Sequence, residues 1–200
     1  MTASERDSER IVALRESFGT WMQDADPSKL VFLDESGSTI SMTREYARCP
    51  EGERAHDKVP RNRGTVTSML GALSLKGMIA VMTVEGGTSA EVFHAFVEQV
   101  LLPEIEPGSI VVLDNAGAHK DPDVFDLFAK AGVAVKFLPP YSPELNPIEL
   151  AWAELKDTLR FYKARTREAL DDAIALGADL ISRARAAAWF RHCGYRCQVI

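Results

Sequence analysis

Apolar residues follow two different spacings along the chain, and the change of spacing predicts both helices and strands. Residues 8–23 carry apolar side chains three or four positions apart, which is typical of an amphipathic helix, and Asp26-Pro27 ends it. Residues 30–34 (LVFLD) predict a buried strand, and GSTISM after them predicts a second strand beyond a glycine turn. Residues 65–75 and 78–84 are apolar and rich in β-branched side chains, so we expect an antiparallel hairpin there.

The next segments predict strands that alternate with helices. Residues 89–102 place their apolar side chains on one helical face and stop at Pro103. Residues 109–114 and 133–138 predict strands, and a short helix over 121–131 lies between them. A strand, crossover helix and strand predict parallel pairing with a right-handed connection. The expected fold class is therefore α/β: a mixed sheet, with antiparallel strands and then parallel βαβ units, flanked by helices as in the ribonuclease H-like fold.

The C-terminal part predicts helices. Residues 147–162 carry a long apolar stripe, residues 167–184 predict a second helix, and a short terminal piece includes Trp189 and Phe190. We therefore expect three segments. Residues 1–27 form a helical lead-in, residues 28–165 form a ribonuclease H-like core, and residues 166–200 form helices that pack on the core.

Composition agrees with a globular protein. The 200 residues, 46% of them apolar, suffice for one domain with a substantial core. The start, MTASERDSER, lacks the pattern of a signal peptide, and no apolar run approaches the roughly 20 residues that cross a bilayer. We expect a cytoplasmic location, no membrane partner and reduced thiols at Cys49, Cys193 and Cys197. Cys193, Cys197 and His192 provide only three potential ligands, whereas structural zinc usually needs four closely spaced donors, so we do not expect a zinc site there.

Three acids lie where predicted elements end or begin. Asp34 ends the first strand, Asp114 ends IVVLD, and Glu149 lies at the start of the helix that follows PPYSPELNP. Mg²⁺ prefers oxygen ligands, and two divalent cations about 3.5–4 Å apart can stabilise both oxygens of an in-line displacement at a phosphodiester. We therefore predict that Asp34, Asp114 and Glu149 are catalytic and hold two Mg²⁺ ions per site, with Mn²⁺ as a substitute.

Each acid also has a structural explanation. Asp34 and Asp114 could simply open turns through side-chain bonds to nearby backbone. Asn146, Pro147 and Glu149 occupy the N-cap, first and third positions of the predicted helix, which is a capping-box arrangement. On composition alone, the capping box is the stronger explanation for Glu149.

Four polar residues near these acids have open roles. His119 and Asn115 follow the second acid and are candidates to orient a water or to contact DNA, although a solvent-facing histidine at a helix start fits equally well. Glu35 is expected to point to the strand face opposite Asp34, because successive side chains alternate. Glu144 lies in the turn and is expected to be exposed.

The segments LVFLDESGS, SIVVLDNAGAHK and FLPPYSPELNPIE resemble the three catalytic blocks of the mariner-like superfamily of DDE transposases, and most resemble its bacterial insertion-sequence branch. The resemblance covers roughly residues 28–195, and the spacing from Asp114 to Glu149 is the family's. It implies a ribonuclease H-like fold and metal-dependent DNA cleavage and strand transfer. It also implies element ends and target DNA as partners, and a homodimer.

Charge bears on the DNA partner. The net charge of −6 opposes nonspecific binding, which depends on Lys and Arg neutralising phosphates. Residues 150–200 nevertheless hold nine Lys and Arg against six acids, and residues 43–64 hold six against four. From these two stretches we select the candidate DNA-binding residues Arg61, Arg63, Lys156, Arg160, Lys163 and Arg165. Solvated surface charge is an equally good explanation for any one of them.

Full-length members of the resembled family carry helix-turn-helix domains before the catalytic core, whereas this chain begins shortly before its first block. We therefore expect a separate helix-turn-helix subunit if the chain is a functional product, acting on the bacterial nucleoid. Two other classes stay open. One is a nuclease or resolvase of the same fold without strand transfer, and the other is an inactive remnant that serves as a DNA-docking or interaction module.

Overall fold

A five-stranded mixed sheet forms the centre of the protein, whose computed structural model describes residues 4–197. The sheet order is β3-β2-β1-β4-β5, with β1–β2 and β2–β3 antiparallel and β1–β4 and β4–β5 parallel. The predicted mixed sheet is confirmed. The strands are β1 (Leu30–Ser38), β2 (Thr67–Ser74), β3 (Gly77–Glu85), β4 (Ile110–Leu113) and β5 (Ala134–Phe137).

Helices cover both faces of this sheet. A π-helical turn over Val97–Leu101 and a 3₁₀ turn over Leu102–Glu104 extend the second helix towards β4. Within the described range, no helix has the length and apolar character needed to cross a bilayer. The α-helices of that range are α1 (Glu9–Asp24), α2 (Ala90–Phe96), α3 (Pro122–Lys130), α4 (Pro147–Tyr162), α5 (Arg167–Asp179) and α6 (Arg183–His192).

The alternation of side chains along β1 divides the core into two layers. Leu30 and Phe32 pack with residues of α1, α4, α5 and α6, whereas Val31 and Leu33 pack with α2 and α3. All four side chains are buried. A continuous apolar run is what a strand needs when both faces of its sheet are covered. Odd and even positions of β1 therefore face different helices.

The two terminal helical segments join the first of these layers. Phe18 and Met22 of α1 and Phe190 of α6 belong to the same apolar cluster as Phe32. The lead-in and C-terminal helices thus pack on the sheet. The division of the chain at residues 27/28 and 165/166 stays a prediction.

Two predicted elements differ from the structure. The second strand expected at GSTISM is wrong, because β1 runs without a turn through Gly37 to Ser38, where each residue pairs with β2. The helix expected over residues 167–184 is also wrong in extent. It ends at Asp179, and a new helix starts where the Ser182 hydroxyl accepts a hydrogen bond from the amide of Arg185.

Candidate active site

The three predicted catalytic acids line one cleft at the carboxyl edge of the parallel strands. Asp34 and Asp114 each lie two residues beyond the Phe32–Val112 pair of β1 and β4, so they come from neighbouring strands at the same level. Glu149 lies in the first turn of α4 and is exposed. This acid cleft has a volume of about 380 Å³. Its other lining residues are Asn115, Leu138, Pro139, Pro140, Tyr141, Ser142, Pro143 and Asn146.

Asp34 is largely buried, and its charge is unfavourable there. Burial, together with the negative charges of Glu149 and Asp114, raises the pKa of Asp34 to about 7, against the hydrogen bond from the Glu35 amide to Oδ1 at 2.8 Å. Because the three acids line the same cleft, their negative charges repel one another. A cation among them would favour the ionised form.

His119 lies between two acids behind the acid cleft. Its Nδ1 is 2.6 Å from Asp114 Oδ1 and its Nε2 is 3.5 Å from Glu35 Oε1. Neither contact has hydrogen-bond alignment, and both are ion pairs when the imidazole is protonated. The ring stacks on Phe93 with centroids 4.4 Å apart, and the residue is only 1% exposed. The alternative of a solvent-facing histidine is therefore wrong.

The charge of His119 follows from these neighbours. Burial alone lowers its pKa, but the contacts with Asp114 and then with Glu35 outweigh burial and raise the pKa to about 9. The imidazolium in turn lowers the pKa of Asp114. His119 thus keeps Asp114 ionised and fixes its Oδ1, which also accepts a hydrogen bond from the Ala116 amide at 2.9 Å. Glu35, on the opposite face of β1 from Asp34, therefore influences Asp114 through its contact with His119.

Asn146 connects Asp34 to the helix that carries Glu149. Its Nδ2 donates to Asp34 Oδ2 at 3.4 Å, and its main-chain oxygen accepts from the Glu149 amide at 3.2 Å. Its side chain makes no hydrogen bond to the start of α4, so the capping-box alternative is wrong. The sequence had suggested Asn146 as a cap, and nothing in the local pattern indicated a contact with Asp34.

Distant residues hold the turn that precedes α4. Arg15 of α1 contacts the Ser142 hydroxyl and places Nη2 2.6 Å from Glu144 Oε1. Arg6 approaches the same oxygen at 2.6 Å, and the Tyr195 hydroxyl donates to a main-chain oxygen at the end of the turn at 2.9 Å. Glu144 is exposed, as expected, but the two arginines hold it, which the sequence did not predict. These arginines lie too far along the chain for any local signal.

Asn115 and Tyr141 shape the rim of the acid cleft. The Asn115 Nδ2 donates to the Leu138 oxygen at 2.7 Å, which ties the loop after β4 to the end of β5. Tyr141 has a φ of 55°, a left-handed conformation that is uncommon for a residue other than glycine. Both side chains are exposed. Asn115 therefore braces the loop and remains accessible from the cleft.

The candidate DNA-binding residues on the surface fall in two places. Arg61 and Arg63 are exposed in residues 39–66, which lie between β1 and β2 outside the sheet. Lys156 and Arg160 are half-buried on α4, and Arg160 pairs with Asp157 at 2.7 Å. Both places present positive charge that is at least partly open to solvent.

The other two candidates hold residues 39–66 against α4. Lys163 forms an ion pair with Asp57. Arg165 donates through Nη1 to the main-chain oxygens of Ile40 at 2.8 Å and Met42 at 3.0 Å. These contacts give both residues a structural role whether or not they also meet DNA.

The donors around the acid cleft suit a hard divalent cation. Asp34, Asp114, Glu149 and Asn146 offer only oxygen ligands. Within residues 4–197, no three His, Cys, Asp or Glu side chains converge closely enough to enclose one ion. Mg²⁺ is usually bound by one or two carboxylates, and waters and substrate phosphates complete its coordination. The residues present therefore fit Mg²⁺ or Mn²⁺ held by pairs of acids.

Structures of the Mos1 transposase are among the solved structures that this chain resembles. The Mos1 transposase in a paired-end complex with the left transposon end matches with a TM-score of 0.76 and 19% identity, over 96% of this chain and 60% of that chain. The catalytic domain of Mos1 mariner transposase matches with a TM-score of 0.69 and 15% identity, over 96% of this chain and 89% of that chain. Other matching Mos1 structures contain Mn or Mg. The ribonuclease H-like fold is thereby confirmed.

Sequence comparison identifies the family. An uncharacterized protein, y4pE/y4sA of Sinorhizobium fredii (strain NBRC 101917 / NGR234), is 41% identical over 49 residues, which are 24% of this chain and 34% of the relative. The chain thus spans about a third of that relative. Residues 29–171 match the family model described as DDE superfamily endonuclease, and the predicted resemblance to DDE enzymes is confirmed. The chain belongs to the family of DDE superfamily endonucleases.

Proposed function

We propose that this chain is the catalytic domain of a DNA transposase, which cleaves DNA and transfers strands with the help of divalent metal ions. The observation that carries the proposal is the acid cleft, which is lined by Asp34 of β1, Asp114 directly after β4 and Glu149 in the first turn of α4. Membership of the DDE superfamily endonucleases supports metal-dependent cleavage. The likeness to Mos1 in complex with a transposon end supports DNA as the substrate.

Each acid has a distinct place in this proposal. Asp34 and Asp114 would together hold one ion, and Glu149 would help to hold the second. When bound, two such ions stabilise the attacking and the leaving oxygen at the phosphorus. The surrounding side chains prepare the ligands: His119 keeps Asp114 ionised, and Asn146 fixes one oxygen of Asp34. Mg²⁺ is the proposed ion, with Mn²⁺ as its substitute.

One cleft can serve both chemical steps because both are in-line displacements. In the first step, water attacks a phosphodiester at the element's end, and the bond that breaks leaves a free 3′-hydroxyl. In the second step, this 3′-hydroxyl attacks a phosphodiester of the target, which joins the strands and releases a target 3′-hydroxyl. A phosphodiester replaces a phosphodiester, so the second step needs no external energy source.

The assembly on DNA is part of the proposal. We expect the six basic candidates to contact phosphates, because each is positively charged and half-buried or exposed: Arg61, Arg63, Lys156, Arg160, Lys163 and Arg165. A homodimer on the bacterial nucleoid and a separate helix-turn-helix subunit for the element ends complete the expected assembly. Sedimentation with and without end DNA tests the dimer, and co-purification tests the subunit.

A second candidate function is nuclease or resolvase activity without strand transfer. The family's description as an endonuclease favours it, because cleavage alone satisfies that description. The products distinguish the two functions, since only a transposase leaves joined strands.

The decisive experiment incubates the purified chain and Mn²⁺ with a supercoiled plasmid and a labelled oligonucleotide that ends in a 3′-hydroxyl. Nicked plasmid reports cleavage, and label joined to plasmid reports strand transfer. Asp34→Asn, Asp114→Asn and Glu149→Gln should each lower both signals about a hundredfold or more, because metal stabilisation contributes several kcal/mol. Asp172→Asn, an exposed acid on α5, is the matched control and should act as the wild type. Equal activity in all four variants would refute the assignment.

A further inference from the structure

Asn146 has one polar atom in the acid cleft that the protein leaves unused. The residue is 4% exposed and lines the cleft with the three acids. Its Nδ2 donates to Asp34, whereas its Oδ1 is buried and has no hydrogen-bond partner among residues 4–197. A buried acceptor without a partner is unfavourable for folding. A ligand from outside the chain that coordinates this oxygen would remove that cost.

The folding roles open to Asn146 do not involve this oxygen. Its side chain does not cap α4, and its main-chain amide and oxygen already bond Pro143 at 2.9 Å and Glu149 at 3.2 Å. When Asp34 is ionised, as cation binding requires, exchange of the two side-chain amide atoms would place Oδ1 against a carboxylate oxygen, and two acceptors would meet. The orientation with Oδ1 free is therefore the favourable one.

We propose that Oδ1 of Asn146 is an additional ligand of the second divalent cation in the acid cleft, the one that Glu149 helps to hold, with Asp34 shared between the two cations. The inference rests on the proposed function, since it assumes that these acids hold a cation. An amide oxygen is a hard donor of the kind that divalent cations of this class accept in proteins. It also adds a ligand without adding negative charge to acids that already repel one another. Asn146 suits this position because it bonds Asp34 on one side and the start of α4 on the other.

Mn²⁺ binding to the purified chain tests the proposal without any DNA reaction. Free Mn²⁺ is measured by electron paramagnetic resonance during a titration at about pH 8, above the raised pKa of Asp34. Asn146→Ala should weaken Mn²⁺ affinity about tenfold or more. Asn146→Asp keeps a side-chain oxygen but loses the donor to Asp34, and it should bind Mn²⁺ at least as tightly as the wild type. Asn62→Ala, at an exposed asparagine between β1 and β2, is the control and should leave affinity unchanged.

The two Asn146 variants separate a ligand from a positioning residue. If Asn146 acted only through its bond to Asp34, the Asp variant would lose affinity as the Ala variant does, and that result would overturn the proposal. Wild-type affinity in the Ala variant would overturn it as well. Thermal unfolding without metal shows whether each variant folds, and if the Ala variant does not, the Asp variant decides the question alone.

Variants of the acids separate this inference from the proposed function. Asp34→Asn and Glu149→Gln should lose most Mn²⁺ binding. If both bind Mn²⁺ as the wild type does, the metal site itself is refuted, and the role of Asn146 falls with it. If both lose binding while Asn146→Ala retains it, the proposed function stands and only the Asn146 ligand is refuted.

Discussion

Replacing Gly71 by alanine should destabilise the protein, because Gly71 lies at the contact between β2 and α4 that sets the position of Glu149 relative to Asp34. Gly71 of β2 pairs with Asp34 of β1, and Trp152 packs on it from α4, one turn after Glu149. A Cβ at position 71 would lie 2.6 Å from Trp152 Cη2 and 2.9 Å from its Cζ2. The indole is rigid and 2% exposed, so it cannot yield as the end of a flexible side chain would. Either the ring turns within the core, or α4 and Glu149 move away from the sheet.

The expected cost follows from this overlap. Overpacking a core by one methyl group costs about 1–3 kcal/mol, and each kcal/mol lowers Tm by about 2–4 °C in a domain of this size. Gly71→Ala should therefore lower Tm by roughly 4–8 °C if it costs about 2 kcal/mol. The same substitution at Gly19 of α1, where nothing lies within 4 Å of the added Cβ, should instead raise stability by about 0.5–1 kcal/mol through helix propensity.

A double-mutant cycle in urea checks the cause. Trp152→Phe shrinks the ring at the overlapping atoms, so Gly71→Ala should cost at least about 1 kcal/mol less in the Trp152→Phe background than in the wild type. Mn²⁺ affinity should fall in Gly71→Ala and recover partly in the double variant, because Glu149 follows α4. Wild-type stability in Gly71→Ala, or strictly additive effects in the cycle, would refute the claim that this contact sets the position of α4.

Three further predictions concern pH, the turn before α4 and the thiols. Burial raises the pKa of Asp34 to about 7, and a carboxylate must lose its proton to bind a cation. Mn²⁺ affinity should therefore rise about tenfold between about pH 6 and pH 8, and a flat profile in titrations across this range would contradict the assignment. Arg15→Ala removes the contacts of Arg15 with Ser142 and Glu144, so it should lower the free energy of unfolding in urea by about 1 kcal/mol. It should also lower DNA cleavage by more than this loss of stability explains. Arg10→Ala, at an exposed position on α1, is the control and should change neither stability nor cleavage. Cys49 is exposed and should react with a thiol reagent within minutes. Cys193 is buried, and burial raises the pKa of its thiol to about 11, so it should react only as the protein unfolds. Equal reaction rates of the two thiols would contradict the burial of Cys193.

The sheet and most helices could be predicted because their signals are local. The apolar runs of β1 and β4 and the stripe of α4 are visible in a few consecutive residues, and α4 begins and ends where the stripe does. The extent of β1 was not local. Glycine occurs in turns and in strands, so the local sequence does not decide the conformation at Gly37. Pairing with Ser68 of β2, a distant segment of the chain, makes it part of the strand. The break between α5 and α6 likewise depends on the Ser182 cap, which competes with continuation of the helix.

The acids of the candidate site could be predicted because each follows an apolar run or opens a helix in the sequence. The prediction that the first strand ends at Asp34 is wrong, because β1 continues to Ser38, where it pairs with β2. The contacts that support these acids could not be predicted. Glu35 faces away from Asp34, as alternation requires, yet it joins the site through His119, whose position depends on the fold around Phe93. The same holds for Arg6, which precedes α1, and for Arg15 of α1, which both contact the turn before α4. Contacts between segments far apart in the chain leave no periodic pattern.

The arrangement of charge around Asp34 leads to a last prediction, in which one substitution has opposite effects with and without metal. Asp34 is raised to a pKa of about 7 by burial and by the neighbouring acids, so the folded state holds its proton more tightly than the unfolded state. Stability without metal should therefore decline as pH rises from about 4 to about 7, by at most about 4 kcal/mol. Asp34→Asn removes this decline, and at about pH 8 it should unfold at a higher temperature than the wild type in the presence of a chelator. With saturating Mn²⁺ the order should reverse, because only the wild type gains binding energy on folding. Differential scanning fluorimetry under both conditions measures the crossing. If Asp34→Asn were less stable than the wild type in both, Asp34 would be a structural residue, and the fold would not be holding acids together for a cation.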